Sequence, residues 1–244
     1  SSYTSANVTF NGLQENTVYY YQIESTNAMG TKLSAIKTFT TKSRGPIYEF
    51  RFNNSLSDVS NTVTFGTPTF GSNDFDRFGT INGAYKMTSG TSGSTATLAN
   101  LPSGSSARSV SVWVKFYTLP TSGDFSYVFG YGGAANNAAY GLSAYGASGT
   151  SLYNYGYNND MVYNPAGLVA GNWYHIVTVY DGTTAKLYLN GNLVLSSSKT
   201  WNTTASTTFY LGKSFGASTN FNGAVDDLKI FNYALTAADV TSLY

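Results

Sequence analysis

The chain has 244 residues, with 13 Lys and Arg against 12 Asp and Glu and a single His, giving a net charge of +1. Phosphate-tracking surfaces need basic side chains in surplus and clustered on one face; neither holds here, which argues against a nucleic-acid partner. Charged residues make up only 10% while 42% are hydrophobic and 16% aromatic, 21 of them Tyr, so there is ample surface to bury and the chain is not disordered. Cysteine is absent, which removes disulfides, thiolate metal sites and Cys nucleophiles. No apolar run reaches the roughly 18 residues of a membrane span, and Ser1-Ser2-Tyr3-Thr4 lacks a signal-peptide pattern. Sparse charge with abundant Thr, Ser, Asn, Gly and Tyr suits an extracellular or cell-surface β-rich protein.

Alternating apolar and polar positions bounded by Gly, Asn, Asp and Ser recur along the chain, and helical periodicity is nearly absent, so the expected class is all-β. Three strands are expected first, over 7–13, 17–25 and 32–41, followed by a linker at 43–46. Further strands are expected over 47–52, 84–88, 109–116, 127–130, 139–145, 151–157, 207–211 and 224–231. The clearest local signals are two successive hairpins. Residues 173–180 end in Asp181-Gly182, and 186–189 end in Asn190-Gly191 before 192–195; both pairs favour the positive φ that a tight hairpin turn requires. The one expected helix is 236–243, with Thr236 as its cap and Val240 and Leu243 facing the sheet.

Two family resemblances follow. Gly12-Leu13-Gln14-Glu15-Asn16-Thr17-Val18-Tyr19-Tyr20-Tyr21 and Lys37-Thr38-Phe39-Thr40-Thr41 resemble the last three strands of a fibronectin type III domain, over residues 1–42. That resemblance implies that Tyr19, six residues after Leu13, forms a corner hydrogen bond. Phe50-Arg51-Phe52-Asn53-Asn54, Ser109-Val110-Ser111-Val112-Trp113-Val114-Lys115, Trp173-Tyr174-His175 through Asn190-Gly191, and Phe221-Asn222-Gly223-Ala224-Val225-Asp226-Asp227 through Thr236 resemble a laminin-G-like, concanavalin A-like domain over 47–244. It implies a jelly-roll sandwich of two antiparallel sheets and a secreted or surface multidomain parent, as in bacterial surface proteins.

Catalytic signals are weak. Jelly-roll glycosidases need carboxylates that share a cleft, whereas Asp226 and Asp227 are adjacent and on a regular strand point to opposite faces. The three glutamates, Glu15, Glu24 and Glu49, precede or open the large domain. His175, with Trp173, Val177 and Val179 as face-mates, reads as an inward, hydrogen-bonded structural imidazole. The expectation is therefore no enzyme. The laminin-G resemblance raises a calcium site, with Asp226 and Asp227 as weak ligand candidates. The matching loop at 88–94 carries no carboxylate, so the expectation is no tightly bound cofactor.

The stretch 125–159 contains no charged residue and is dense in Tyr and Asn. Two readings stay open: a glycan or protein contact surface, or tyrosines that coat one face of a sandwich. On the first reading the ligand-binding candidates are Tyr131, Tyr140, Tyr145, Tyr153, Tyr155, Tyr157 and Trp201. The expected function is a non-enzymatic adhesion or structural module acting through protein and glycan contacts, with self-association or filament formation through residues 1–41. The alternative is a carbohydrate-binding module of a secreted polysaccharide-degrading enzyme.

Overall fold

A computed structural model describes residues 8–10, 12–14, 17–41, 44–88, 93–121, 123–146, 150–215 and 221–244. The chain divides into two compact units, Ser1–Gly45 and Pro46–Tyr244.

The first unit holds β1 (Val18–Tyr21), β2 (Glu24–Asn27), β3 (Gly30–Leu33) and β4 (Lys37–Thr40), with β1 antiparallel to β4 and β2 to β3. The expected strands 17–25 and 32–41 are thus each broken in two. Of the expected strand 7–13, Asn7 and Asn11 lie outside the described residues and the rest forms no strand; without a neighbour to pair with, an extended segment cannot satisfy its backbone groups as a strand. Tyr19 stacks on Phe39 at 5.8 Å, and its hydroxyl accepts the Gln14 backbone N–H at 2.7 Å, which is the expected corner bond. No described residue of this unit is buried; Tyr20, Ile23, Met29 and Ile36 stand exposed.

The second unit contains β5 (Tyr48–Phe50), β6 (Gly71–Asp74), β7 (Ala84–Met87), β8 (Ser94–Thr97), β9 (Arg108–Phe116), β10 (Phe125–Gly132), β11 (Ala139–Tyr145), β12 (Ser151–Tyr155), β13 (Met161–Tyr163), β14 (Trp173–Tyr180), β15 (Thr184–Leu189), β16 (Asn192–Ser198), β17 (Thr208–Leu211), β18 (Gly223–Phe231) and the helix α1 (Ala237–Leu243). One antiparallel sheet runs β13-β12-β11-β10-β17-β8, and a larger one runs β16-β15-β14-β9-β18-β7-β6 with β5 also on β18. β6, β8 and β13 escape the sequence because each is four residues or fewer and lacks an apolar alternation.

Both sheets turn one face toward a common core. Val110, Val112, Ile176, Leu187 and Val225 come from the larger sheet, and Val128, Phe129, Leu142, Leu152 and Phe209 from the six-stranded one. Phe209 sits centrally, its ring 5.8 Å from Phe129, 6.0 Å from Tyr131 and 6.2 Å from Phe65. Alternation leaves a second, outward face on each sheet. On the larger sheet Val177, Val179, Tyr188 and Phe231 point that way and are buried under Leu235 and Val240. α1 makes this cover: Thr236 accepts the Asp239 N–H while the Asp239 carboxylate accepts the Thr236 N–H, a reciprocal cap that fixes where the helix starts.

Candidate functional site

The outward face of the six-stranded sheet is rich in aromatic rings. On β10, Tyr127 lies opposite Ser143 of β11, and Ser143 lies opposite Tyr153 of β12. A bulge between Tyr127 and Phe129 inserts one residue, so Tyr127 faces outward while Phe129 enters the core; on a regular strand the two would share a face. Phe125 packs on Tyr145 at 4.5 Å and Tyr153 at 5.3 Å, and Tyr127 stands at 89° to Tyr155. Tyr155 is laid against the sheet by Gly130 and Gly141, where a Cβ would overlap its ring, and its hydroxyl donates to the Phe129 carbonyl at 3.0 Å. Phe215, from the segment after β17, closes the far side at 90° to Tyr155.

Phe125, Tyr127, Tyr155 and Phe215 line an open cavity of about 370 Å³ whose lining also includes Ser143, Asn158, Asp160 and Ser214. The Ser143 hydroxyl is buried and has no hydrogen-bond partner. Asp160 accepts the Gly156 N–H at 3.0 Å, and burial pushes its carboxyl above the usual range against the opposing effect of that bond and of Lys199. The Lys199 ammonium itself is held by the Asn159 Oδ1 at 3.1 Å and the Asp160 main-chain carbonyl at 2.7 Å. The chemistry on offer is flat apolar rings, hydroxyl and amide groups and one carboxylate, a combination suited to holding a ligand.

The seven candidates from the sequence separate cleanly. Tyr155 and the exposed Tyr157 line the cavity; Tyr145 and Tyr153 lie beside it on the same face, half-buried. Tyr131, Tyr140 and Trp201 are fully buried and lie outside the lining of this cavity. Tyr140 and Tyr131 alternate inward, Trp201 packs edge-on against Tyr140, and Trp201 Nε1 donates to the Asn159 carbonyl at 2.7 Å. The guanidinium of buried Arg108 lies over Tyr140 and Tyr180, 5.1 and 5.0 Å from the ring centres. Sequence reasoning missed Phe125, Tyr127, Asp160 and Phe215; Asp160 is the first charge after the uncharged stretch, but Phe215 is brought in by strand order alone.

Asp226 and Asp227 do not diverge as expected. A bulge between Asp226 and Lys229, with Asp227 at φ 44°, turns both carboxylates to Arg77, whose Nη1 donates to Asp226 at 2.6 Å and Nη2 to Asp227 at 2.8 Å. One guanidinium cannot neutralise two carboxylates, and burial with Asp227 alongside pushes Asp226 up to about 7. No group of three or more potential metal ligands occurs among the described residues. Of the loop expected to carry no calcium ligand, 89–92 lie outside the described residues. His175 is buried and hydrogen-bonded to Ser111 at 2.8 Å, as expected of a structural imidazole, but on the outward face beneath Tyr244 rather than between the sheets. Burial and Arg77 lower it to about 4, so it is neutral.

The concanavalin A-like lectin/glucanases superfamily model matches residues 88–241. No curated protein matches the chain. Among solved structures, domain 4 of AbnA, a GH43 extracellular arabinanase from Geobacillus stearothermophilus in complex with arabinotriose, aligns at TM-score 0.63 and 24% identity over 82% of this chain and 98% of that one. The botulinum neurotoxin serotype D ligand-binding domain in complex with N-acetylneuraminic acid aligns at 0.64 and 17%, and the type G receptor-binding domain at 0.63 and 16%; each covers 82% of this chain, which spans 50% and 51% of theirs. At these identities the likeness establishes the fold, and the family model settles membership: the chain belongs to the concanavalin A-like lectin/glucanases superfamily.

Proposed function

We propose that this chain is a non-catalytic extracellular binding module that holds a glycan in the aromatic cavity of the six-stranded sheet. The observation that carries the reading is an open cavity walled by Tyr127, Tyr155 and Phe215 with an unpartnered Ser143 hydroxyl in its lining. Sugar rings present apolar faces to aromatic side chains and hydroxyls to polar ones, so this set matches a saccharide unit. Hydrolysis of a glycoside needs two carboxylates flanking the bond, and among the described residues Asp160 is the one carboxylate in this lining. The saccharide complexes of the arabinanase domain and the neurotoxin domain support the same use of the fold. The near-complete overlap with an accessory domain of an extracellular arabinanase favours a second reading, a carbohydrate-binding module of a polysaccharide-degrading enzyme.

We further read 47–244 as a two-sheet jelly roll without bound calcium, and 1–42 as the last strands of a fibronectin type III domain whose exposed apolar face is completed by strands of another polypeptide. A glycan array probed with the 244-residue chain and with Tyr127→Ala tests the central reading. Saccharides retained by the first and lost by the second are expected; equal retention, or none by either, overturns it.

A further inference from the structure

The cavity has a geometry more specific than a sugar platform. Tyr155 lies flat on the sheet with Tyr127 at 89° and Phe215 at 90° to it, and all three rings line one volume. The Asp160 carboxylate belongs to the same lining, and among the described residues no Lys or Arg does. Its nearest basic neighbour, Lys199, spends its ammonium on Asn159 and on the Asp160 main-chain carbonyl. Lys213 lies 6.0 Å from the ring centre of Tyr210, outside the lining. Ring faces carry negative potential, and a desolvated box of them attracts a cation, above all an alkylated ammonium. The carboxylate adds an opposing charge, and burial makes that charge costly, a cost that the Gly156 N–H and Lys199 offset only in part.

Resting on the glycan reading of this site, we infer that the cavity takes a ligand bearing an alkylammonium group, and that Asp160 is the residue that selects it over neutral or anionic sugars. The same chemistry occurs in a free amino sugar and in a trimethylammonium headgroup. An anionic sugar would bring its carboxylate against Asp160 with no basic side chain in the lining to offset it.

Calorimetric titration of the 244-residue chain with four probes tests this: the glucosamine trisaccharide with free amines, its N-acetylated counterpart, choline, and N-acetylneuraminic acid. The free-amine trisaccharide is expected to bind at least about tenfold more tightly than the acetylated one, with N-acetylneuraminic acid weakest. Asp160→Asn keeps an oxygen for the Gly156 N–H and is expected to bring the two trisaccharides to equal affinity. Because the amine-against-acetyl comparison is made on the unaltered chain, it stands whether or not the variant folds. Binding of choline without either trisaccharide assigns the headgroup as the source and overturns the glycan reading alone. Equal binding of the two trisaccharides overturns this inference and leaves the glycan reading standing, whereas no binding by any probe overturns both.

Discussion

The outward faces of the two sheets differ in what lies over them. On the larger sheet, α1 and the Arg77 segment bury Val177, Val179, Tyr188 and Trp113, and Tyr244 stacks on Trp113 and His175. On the six-stranded sheet the equivalent positions carry Phe125, Tyr127 and Tyr155, and there the rings border a cavity. Both faces are aromatic, and both contain a raised carboxyl, Asp226 on one and Asp160 on the other. The lesson is that aromatic composition alone does not distinguish the two faces; among the described residues they differ in what lies over the rings. The Asp226 carboxylate is bonded directly by Arg77, while the Asp160 carboxylate accepts from the Gly156 N–H and the neighbouring Lys199 bonds the Asp160 main-chain carbonyl instead.

Breaking the covered face should cost the most. Arg77→Ala leaves two carboxylates together, one of them buried, and is expected to destabilise the second unit by about 3–5 kcal/mol in urea unfolding. On the open face, Gly141→Ala drives a methyl into Tyr155 and the Phe129 carbonyl; we expect about 1–3 kcal/mol of destabilisation together with loss of glycan retention, since the cavity floor must shift. Thr236→Ala removes the cap of α1 and should cost about 1 kcal/mol without altering retention, which separates cover from site.

The legibility of these faces from sequence was uneven for reasons that can be named. Turn chemistry is local, so Asp181-Gly182 and Asn190-Gly191 announced their hairpins, and Gly182 and Gly191 do adopt positive φ. Thr236 likewise announced the helix, and the structure adds Asp239 as the reciprocal half of its cap. Bulges are not local in this sense: those after Tyr127 and Asp226 reverse which way the next residues point, moving Tyr127 outward and gathering Asp226 and Asp227 on Arg77. Strict alternation therefore misplaces the acidic pair, and Tyr131, Tyr140 and Trp201 cannot be told from Tyr155 or Tyr157 without knowing which face is roofed. The first unit shows the same limit. Its alternation is as good as that of the second, yet among its described residues nothing is buried.

The smallest net effect is expected with pH, because two shifts on the covered face oppose each other. Asp226 holds its proton more tightly folded, near 7, than unfolded, so its contribution falls as pH rises from about 4 to 7. His175 is about 4 folded against 6.5 unfolded, so its contribution rises as pH goes from about 4 to 6.5. In the wild type these two partly cancel, and the raised Asp160 adds to the falling side. His175→Gln is expected to expose the falling limb and Asp226→Asn the rising one in thermal melts across that window; parallel profiles for the two variants would show that these groups do not set it.

The comparison of faces is tested most directly by aromatic-selective NMR of the 244-residue chain during titration with arabinotriose and the free-amine glucosamine trisaccharide. The account predicts that ring signals of Phe125, Tyr127, Tyr155 and Phe215 shift together and saturate with one affinity, while those of Trp113 and Tyr244 stay in place. Shifts centred on Trp113 and Tyr244, or saturating binding that leaves Tyr127 and Phe215 unmoved, would contradict it.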